Sequence, residues 1–495
     1  MSAETNLTEL REAIGQLQAD AAGQEAHLSA ELSRLDPSFQ DAGRNLAHYL
    51  ALRQHDLRDL QLKLAALGLS SLGRAERCVV PTLGAVSHAL CCLAGEAPDA
   101  GNGSVTRIDF DAADELLRRH TDALLGPPPS GRTTRIMLTL PTETDSTTID
   151  ALLAEGADVI RVNCAKGARE DWARMIERVR LAAGRRGREC RILCDLAGPN
   201  PRTAHVDPKH DDDVIGAAKV GDRLLLTRDG SRHELGAERI GLALACTLPE
   251  VLDDLAPGER VYYDDGKLSG LVRDRSAGGI VIEVTFTKKE RVKLKPGKSL
   301  NFPDSKLRLP SLTAKDVEDL AFVATHADMV GLSFVRSVEH VALLERELDR
   351  LQARELGIVL KIETSQAFQE LPRLLLTAMQ SPRVGIMVAR GDMAIEMGFE
   401  RLAEAQEEVL WLSEAAFVPV IWATQVLEGM NQTGVPSRAE VTDAAMASRA
   451  ECVMLNQGKH LVDASRFLRN VLERMEQHQQ KKRSMLRRLR ISDVH

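Results

Sequence analysis

Aromatic residues are scarce in this chain: three Trp, three Tyr and ten Phe in 495 residues, or 3%. So thin a supply argues against stacking platforms for single-stranded nucleic acid. Basic charge is not in excess either. Sixty-four Lys and Arg face 72 Asp and Glu, and the net charge of −8 weighs against a phosphate-backbone binder. No apolar run approaches the roughly 18 residues of a membrane helix, so no membrane span is expected. No charged-then-apolar leader opens the sequence, so no secretory signal is expected. The eight cysteines are scattered at positions 78, 91, 92, 164, 190, 194, 246 and 452. None forms a Cys-x-x-Cys pair, which argues against a zinc site and makes a reducing cytoplasm the natural setting. What remains is globular: 44% apolar and 27% charged residues, in a length that suits about two to four domains.

The first 125 residues read as helical. Leu7, Leu10, Ile14 and Leu17 keep helical spacing, as do Leu57, Leu60, Leu64 and Leu67. Asp36-Pro37 and Gly68 are breaks. Ser70–Glu76 is a sharp turn into a further helix near Val79–Leu93. Ala94–Ser104 reads as a loop and Phe110–Leu125 as helix again. This is an N-terminal helical domain of four or five helices. Its apolar stripe packs either internally or against a partner, which leaves a homo-oligomer through this domain open. Arg74 and Glu76 fit a structural turn better than a ligand site. Gly126-Pro-Pro-Pro-Ser-Gly131 is a stiff linker, here taken as 126–133.

From Thr134 the texture alternates between short apolar runs and amphipathic ones. Candidate strands are Ile136–Leu140, Val159–Asn163, Ile192–Leu196, Met329–Ser333, Ile358–Ile362, Val384–Ala389, Val418–Trp422 and Cys452–Leu455. Helical runs such as Trp172–Ala183, Val338–Leu351 and Leu402–Ala416 lie between them. Eight such units predict a (β/α)8 TIM barrel, over 134–202 and 303–480. The third strand is followed instead by residues 203–302, rich in strand and turn signals, which predict an inserted small all-β lid domain. After Leu455 one long helical stretch is expected, ending in a basic C-terminal tail, 481–495. Its Lys and Arg suit a solvated helix end better than a nucleic-acid contact.

Lys361 and Glu363 stand two apart in an apolar run, so on a strand both point to one face. Buried charges of this kind need a partner, a metal or an anion. An isolated pair fits an ordinary structural ion pair. It also fits a site in which Glu363 and Asp392 hold a divalent metal while Lys361 neutralises a substrate. A barrel places its chemistry at the carboxyl ends of its strands. Arg161, Asn163, Asp195, Ser333, Lys361, Glu363, Asp392 and Thr424 each fall at or just past such an end.

Several segments, in order, resemble the pyruvate kinase family. They are Ala157–Gly167, with Arg161 and Asn163; Asp195-Leu-Ala-Gly-Pro-Asn-Pro-Arg202, beside the family's Asp-x-x-Gly-Pro-x-x-Arg; and Tyr263-Asp-Asp-Gly266. Leu332-Ser-Phe-Val-Arg336, Lys361-Ile-Glu363, Met387-Val-Ala-Arg-Gly-Asp392, Ala423-Thr-Gln425 and Pro436-Ser-Arg-Ala-Glu440 follow. The resemblance spans roughly Thr134 to Arg469. It implies a metal-dependent phosphotransferase that passes a phosphoryl group between phosphoenolpyruvate, or a pyruvate-like 2-oxo acid, and ADP or ATP in glycolysis. Glu363 and Asp392 would hold Mg²⁺ or Mn²⁺. Lys361 would stabilise the transferring phosphoryl group and Thr424 would sit by the carbon that gains a proton, the two being the catalytic residues. Arg161 and Arg202 would hold phosphate oxygens. Asn163, Ser333, Gly391 and Asp392 complete the substrate site, with the Gly391 and Asp392 amides at a substrate carboxylate.

The departures are as specific. Of the family's potassium ligands only Asn163 and Asp195 remain, because Ala165 and Leu196 replace oxygen-bearing side chains; this argues against K⁺ dependence. Lys166 stands where the family has a His. The nucleotide-side segments read Thr139-Leu-Pro-Thr142 and Asn456-Gln-Gly-Lys459, unlike the family's. The family's regulatory C-terminal domain has no counterpart here, so its effector site and interface are not carried over. The phosphotransferase is therefore weighed against a non-catalytic binding protein and a metal-dependent carbon–carbon lyase on a related barrel.

Overall fold

The computed structural model describes residues 3–96, 109–205, 214–228, 242–276, 278–480 and 483–484. The N-terminal region carries α1 (Ala3–His27), α2 (Ser29–Leu32), α3 (Gln40–Leu52), α4 (Arg58–Ala66), α5 (Val79–Leu93) and α6 (Phe110–Leu125). Then come β1 (Arg135–Thr139), α7 (Ser146–Ala154), β2 (Val159–Asn163), α8 (Arg169–Arg185) and β3 (Arg191–Asp195). The insertion holds β4 (Thr203–Ala204), β5 (Gly216–Ala218), β6 (Arg223–Thr227), β7 (Leu242–Cys246), β8 (Arg260–Tyr263), β9 (Leu268–Ser276), β10 (Gly279–Thr287), β11 (Val292–Leu294) and β12 (Leu300–Asn301). The second stretch is α9 (Ala314–His326), β13 (Met329–Leu332), α10 (Val338–Arg350), β14 (Gly357–Ile362), α11 (Ser365–Gln369), α12 (Leu371–Ala378), β15 (Val384–Ala389), α13 (Arg390–Met397) and α14 (Phe399–Ala415). It ends with β16 (Val420–Ala423), α15 (Glu428–Thr433), α16 (Arg438–Ala447), β17 (Cys452–Leu455), α17 (Leu461–Glu476), β18 (Gln479–Gln480) and β19 (Arg483–Ser484).

Eight parallel strands close a barrel in the order β1-β17-β16-β15-β14-β13-β3-β2. All eight expected strands are present, with ends shifted by up to two residues; the seventh, expected at Val418–Trp422, runs over Val420–Ala423. Most barrel-strand residues are buried, as expected of strands covered on both faces. Local chemistry fixes the helix starts between them. Thr313 and Asp316 form a capping box at α9, and Ser437 and Glu440 another at α16.

Alternation along each strand divides the barrel interior into two layers. Met137, Val159, Leu193, Met329, Val359, Met387, Ile421 and Cys452 form the apolar lower layer. Two residues further on, the same face carries Thr139, Arg161, Asp195 and Lys361. The lower layer is completed by Leu124 and Leu125 at the end of α6, both buried in that cluster. Leu124 seats against glycines at the starts of β14 and β15, the first residue of one and the second of the other. A Cβ at Gly357 would lie 2.6 Å from Leu124 Cδ1, and one at Gly385 2.5 Å from Cδ2. The N-terminal helices thus supply the floor of the barrel.

Many other N-terminal apolar residues are also buried within the chain, although Leu62 and Leu93 are exposed. Leu10, Ile14 and Leu17 are buried in one cluster with barrel-helix residues, and Leu64 is buried while Leu67 is exposed. Asn45 Nδ2 donates to Ala415 O (2.8 Å), and Arg77 pairs with Glu414 (2.8 Å). Part of the expected Ala94–Ser104 loop lies outside the described residues.

The insertion forms a seven-stranded sheet, β12-β8-β9-β10-β6-β7-β4, with the pair β11-β5 beside it and an apolar core of its own. At the far end the expected long helix stops at Glu476, and residues 479–480 pair antiparallel with 483–484 instead. No glycine or proline marks that stop, which is why helical texture in the sequence overran it. Most of the basic tail lies outside the described residues.

Candidate active site

Lys361 is the hub of the polar upper layer. It is 8% exposed, and its Nζ donates to Ser333 Oγ (2.8 Å) while pairing with Glu363 Oε1 (2.9 Å) and Asp195 Oδ2 (3.2 Å). Burial opposes its charge, but Asp195 and Glu363 outweigh that and raise its pKa above the ordinary lysine value. Burial likewise opposes the Asp195 charge, and Lys361 and Arg161 overcome it, so that carboxylate titrates below its usual range. Arg161 reaches Asp195 Oδ2 through Nε (2.8 Å) and Nη2, and Thr139 Oγ1 through Nη1 (3.2 Å). Gly331, opposite Asp195 on β13, leaves room for that carboxylate: a Cβ there would stand 2.6 Å from Oδ1.

Glu363 lies just past the end of β14 and is oriented from two sides. Its Oε2 accepts the Phe334 amide (2.6 Å), and its Oε1 faces Lys361. Phe334 adopts φ +54°, a left-handed conformation that costs an aromatic residue energy. The surroundings stabilise it: Arg336 Nη1 donates to Phe334 O (3.2 Å) and its guanidinium lies 5.9 Å from the ring.

Asp392 stands apart from these pairs. Among the described residues, neither of its carboxylate oxygens has a hydrogen-bond or ion-pair partner. Burial, then the charge of Glu363, pushes its pKa up to about 7. Asp265 of the insertion and Glu396 of α13 act in the same direction. Arg161, Lys361 and Arg336 face Asp195, Glu363, Glu396 and Asp392, and among the described residues Asp392 is the carboxylate whose only link to a cation is the distant charge of Lys361. Glu396 is itself raised by burial, although Asn301 Nδ2 donates to it (3.3 Å). Among the described residues no three His, Cys, Asp or Glu side chains form a ready-made metal cage. Two carboxylates with a surplus negative charge suit a hard divalent ion that keeps water or substrate oxygens as its other ligands.

A second network fixes the end of β16. Thr424 and Gln425 have φ +64° and +58°, again left-handed, and Thr424 is β-branched. Arg390, the first residue of α13, holds this turn. Its Nε donates to Ala423 O (3.1 Å), its Nη2 to Thr424 O (2.5 Å), and its Nη1 and Nη2 to Asp443 (2.5 and 3.0 Å). Its guanidinium also lies 5.0 Å from the Trp422 ring. Thr424 Oγ1 in turn accepts the Gly391 amide (2.8 Å).

The structure therefore joins Arg161, Asp195, Ser333, Lys361 and Glu363 by direct contacts, and Gly391 to Thr424. Asp392 is linked to the first group through charge alone. Asn163 opposes Asp195 across the β2–β3 register, but its Oδ1 accepts the Ala165 amide (3.0 Å). Arg202 is turned to the insertion: its Nη1 donates to Gly297 O (2.8 Å), and no contact joins it to Lys361 among the described residues. Lys166 is exposed. The expectation that the Gly391 amide serves a substrate carboxylate meets a competitor, since Thr424 Oγ1 already occupies it. Arg336, Arg390, Asp443 and Glu396 had no part in the sequence reading. Arg336 and Arg390 each stood inside a quoted segment, but Asp443 lies 53 residues from Arg390 with no local signal.

A family model described as pyruvate kinase, barrel domain, matches residues 131–460. The chain is 31% identical over 337 residues to a pyruvate kinase of Mycobacterium tuberculosis, spanning 66% of this chain and 67% of that protein. It is 33% identical over 356 residues to a pyruvate kinase of Methylorubrum extorquens, spanning 70% and 69%. With that of Thermotoga maritima it shares 31% over 358 residues, spanning 70% and 71%. Helices α1 to α6 precede the segment matched by the family model.

Proposed function

The chain belongs to the pyruvate kinase family, and from that premise we propose that it transfers a phosphoryl group between phosphoenolpyruvate, or a related enolpyruvate, and a nucleoside diphosphate. The observation that carries this reading is Lys361, held between Ser333, Asp195 and Glu363 beside Asp392, whose carboxylate has no hydrogen-bond or ion-pair partner among the described residues. In this reading the Lys361 ammonium turns one of its three N–H groups from Ser333, Asp195 or Glu363 to the transferring group and stabilises its charge. Arg161 orients a phosphate oxygen with the donor capacity left beyond Asp195 and Thr139, and Arg202 approaches from the insertion. Glu363 and Asp392 hold Mg²⁺ or Mn²⁺, which when bound neutralises charge on substrate oxygens. The Asp392 amide, at the start of α13, faces the substrate carboxylate, and Thr424 stands where a proton is delivered to carbon.

A coupled assay of the full chain with phosphoenolpyruvate, each nucleoside diphosphate and Mg²⁺ or Mn²⁺ tests this directly. Turnover with at least one diphosphate is the expected result. Saturable oxalate binding with no turnover would replace catalysis by binding. Exchanging K⁺ for tetramethylammonium should leave the rate essentially unchanged. Ala165 and Leu196 offer no side-chain oxygen, Asn163 Oδ1 is committed to Ala165, and Asp195 to Arg161, Lys361 and Ser333. Strong K⁺ activation would contradict that assignment.

Metal affinity should depend on pH in a defined direction. The Asp392 carboxyl, pushed up to about 7, must lose its proton to bind a cation, so Mn²⁺ affinity should rise as pH increases through that value. The metal-free protein should show the opposite trend in stability. A carboxyl raised in the folded state contributes stability that is fully present below its unfolded pKa, near 3.8, and lost as pH rises through about 7. Mn²⁺ titrations followed by electron paramagnetic resonance across this range check the first trend. Equal affinity on both sides of neutrality would show that Asp392 does not bind the metal as an anion.

A further inference from the structure

A cavity of about 840 Å³ lies away from the Lys361 centre. It opens between the N-terminal helices and the outer barrel helices α14, α16 and α17. Tyr49, Arg53 and Glu76 line one side, and Glu407, Trp411 and Arg449 the other. The first three precede the segment matched by the family model. Volume and position at a seam between two structural regions are those of a small-molecule site.

The wall carries Arg53, Arg58 and Arg449 against Asp56, Glu76 and Glu407, equal in number but unevenly paired. Arg58 is bound to Asp56 through Nε (2.9 Å) and Nη2 (2.5 Å). Arg449 is bound to both oxygens of Glu407, one contact at 2.8 Å. His55, also on the wall, pairs with Asp20 (3.0 Å). Arg53 is different. Its Nη1 donates to Tyr49 Oη (2.9 Å) and its guanidinium lies 4.7 Å from the Trp411 ring centre, yet no carboxylate pairs with it among the described residues. A guanidinium held over an indole keeps a fixed plane, and its remaining N–H groups present the fork that a carboxylate matches. Glu76, Asp56 and Glu407 on the same wall disfavour a multiply charged anion. Leu52, Leu57, Leu72, Met446 and Met475 supply apolar surface.

We propose that this cavity binds an organic monocarboxylate, with its carboxylate on Arg53 and its apolar body against Trp411 and the methionines. Helix α16 presents Thr442 to the cavity and the adjacent Asp443 to Arg390, so cavity and active site share a helix. The binding claim stands independently of the proposed reaction, because it is read without turnover.

Isothermal titration of the full chain with phenylbutyrate, with its neutral isostere phenylbutanol and with inorganic phosphate tests the site. Phenylbutyrate should saturate a single site, and phenylbutanol should bind at least about tenfold more weakly, the loss of one charge-assisted contact. Phosphate, lacking the apolar body, should bind more weakly than phenylbutyrate. Arg53→Gln should bring phenylbutyrate down to the level of phenylbutanol, and Arg53→Lys should restore part of the difference. Arg58→Gln, whose charge is committed to Asp56, should change affinity by less than about twofold. Equal binding of phenylbutyrate and phenylbutanol to the unmodified protein would overturn the proposal without recourse to any variant. So would an Arg53→Gln protein that binds phenylbutyrate as before, or the absence of saturable binding.

Discussion

Replacing Lys361 with Met should lower kcat by about a hundred- to a thousandfold, the usual effect of removing one preorganised charge from a transition state. The substitution keeps an unbranched chain in the same slot but removes the cation that Ser333, Asp195 and Glu363 surround. Two consequences separate this role from a structural one. Mn²⁺ should still bind, and more tightly, because Glu363 and Asp392 are untouched and a competing positive charge has gone. The protein should also melt earlier, since breaking a buried pair from one side costs about 3–5 kcal/mol. Kinetics, Mn²⁺ titration and a thermal melt on one preparation decide the matter. Turnover within about tenfold of the unmodified protein would remove Lys361 from the chemistry, whatever happened to stability.

Truncating Leu124 to Ala should destabilise the protein by about 2–5 kcal/mol, as for a large-to-small change at a close-packed position. Leu124 fills the space left by Gly357 and Gly385, and either glycine alone should resist substitution. A Cβ at Gly385 would come 2.5 Å from Leu124 Cδ2 and 3.4 Å from Pro419 O. The informative measurement is the pair. Gly385→Ala should be destabilising in the unmodified protein and close to neutral, or stabilising, when Leu124 is already Ala. Denaturant midpoints for the four proteins give the coupling directly. Simple additivity would mean that Leu124 and Gly385 do not share that space.

Sequence reading succeeded where the structural signal is local. Runs such as Val384–Ala389 are apolar throughout because both faces of a barrel strand are covered, and turn residues bracket them. Two-residue spacing put Lys361 and Glu363 on one face, the expected strand ends gathered Arg161, Asp195 and Asp392 around them, and the structure joins Arg161, Asp195, Lys361 and Glu363 by contact. What escaped depends on partners distant in the chain. The apolar face of Phe110–Leu125 marks a helix, but periodicity does not say that its last two leucines fill the floor of a barrel. Asp443 looks like one more acidic residue on an amphipathic helix until Arg390 is seen against it. The left-handed turns at Phe334 and Thr424 carry neither glycine nor asparagine, so tertiary contacts rather than residue type impose them. Arg202 was read toward phosphate and is turned to the Gly297 carbonyl; its segment shows which residue it is, not which way its guanidinium faces.

The leucine floor bears on how the molecule is made. A ribosome delivers α6 before any barrel strand, whereas the two strands that close the ring, β1 and β17, lie at opposite ends of the later chain. Pairing Arg135 with Cys452 must await nearly the whole polypeptide, and long-range closure of that kind is slow. Leu124 and Leu125 precede in the chain every other residue of the lower layer that they finally pack against, Val359 and Met387 included. The residues that cap the lower layer are thus made before the strands they cap.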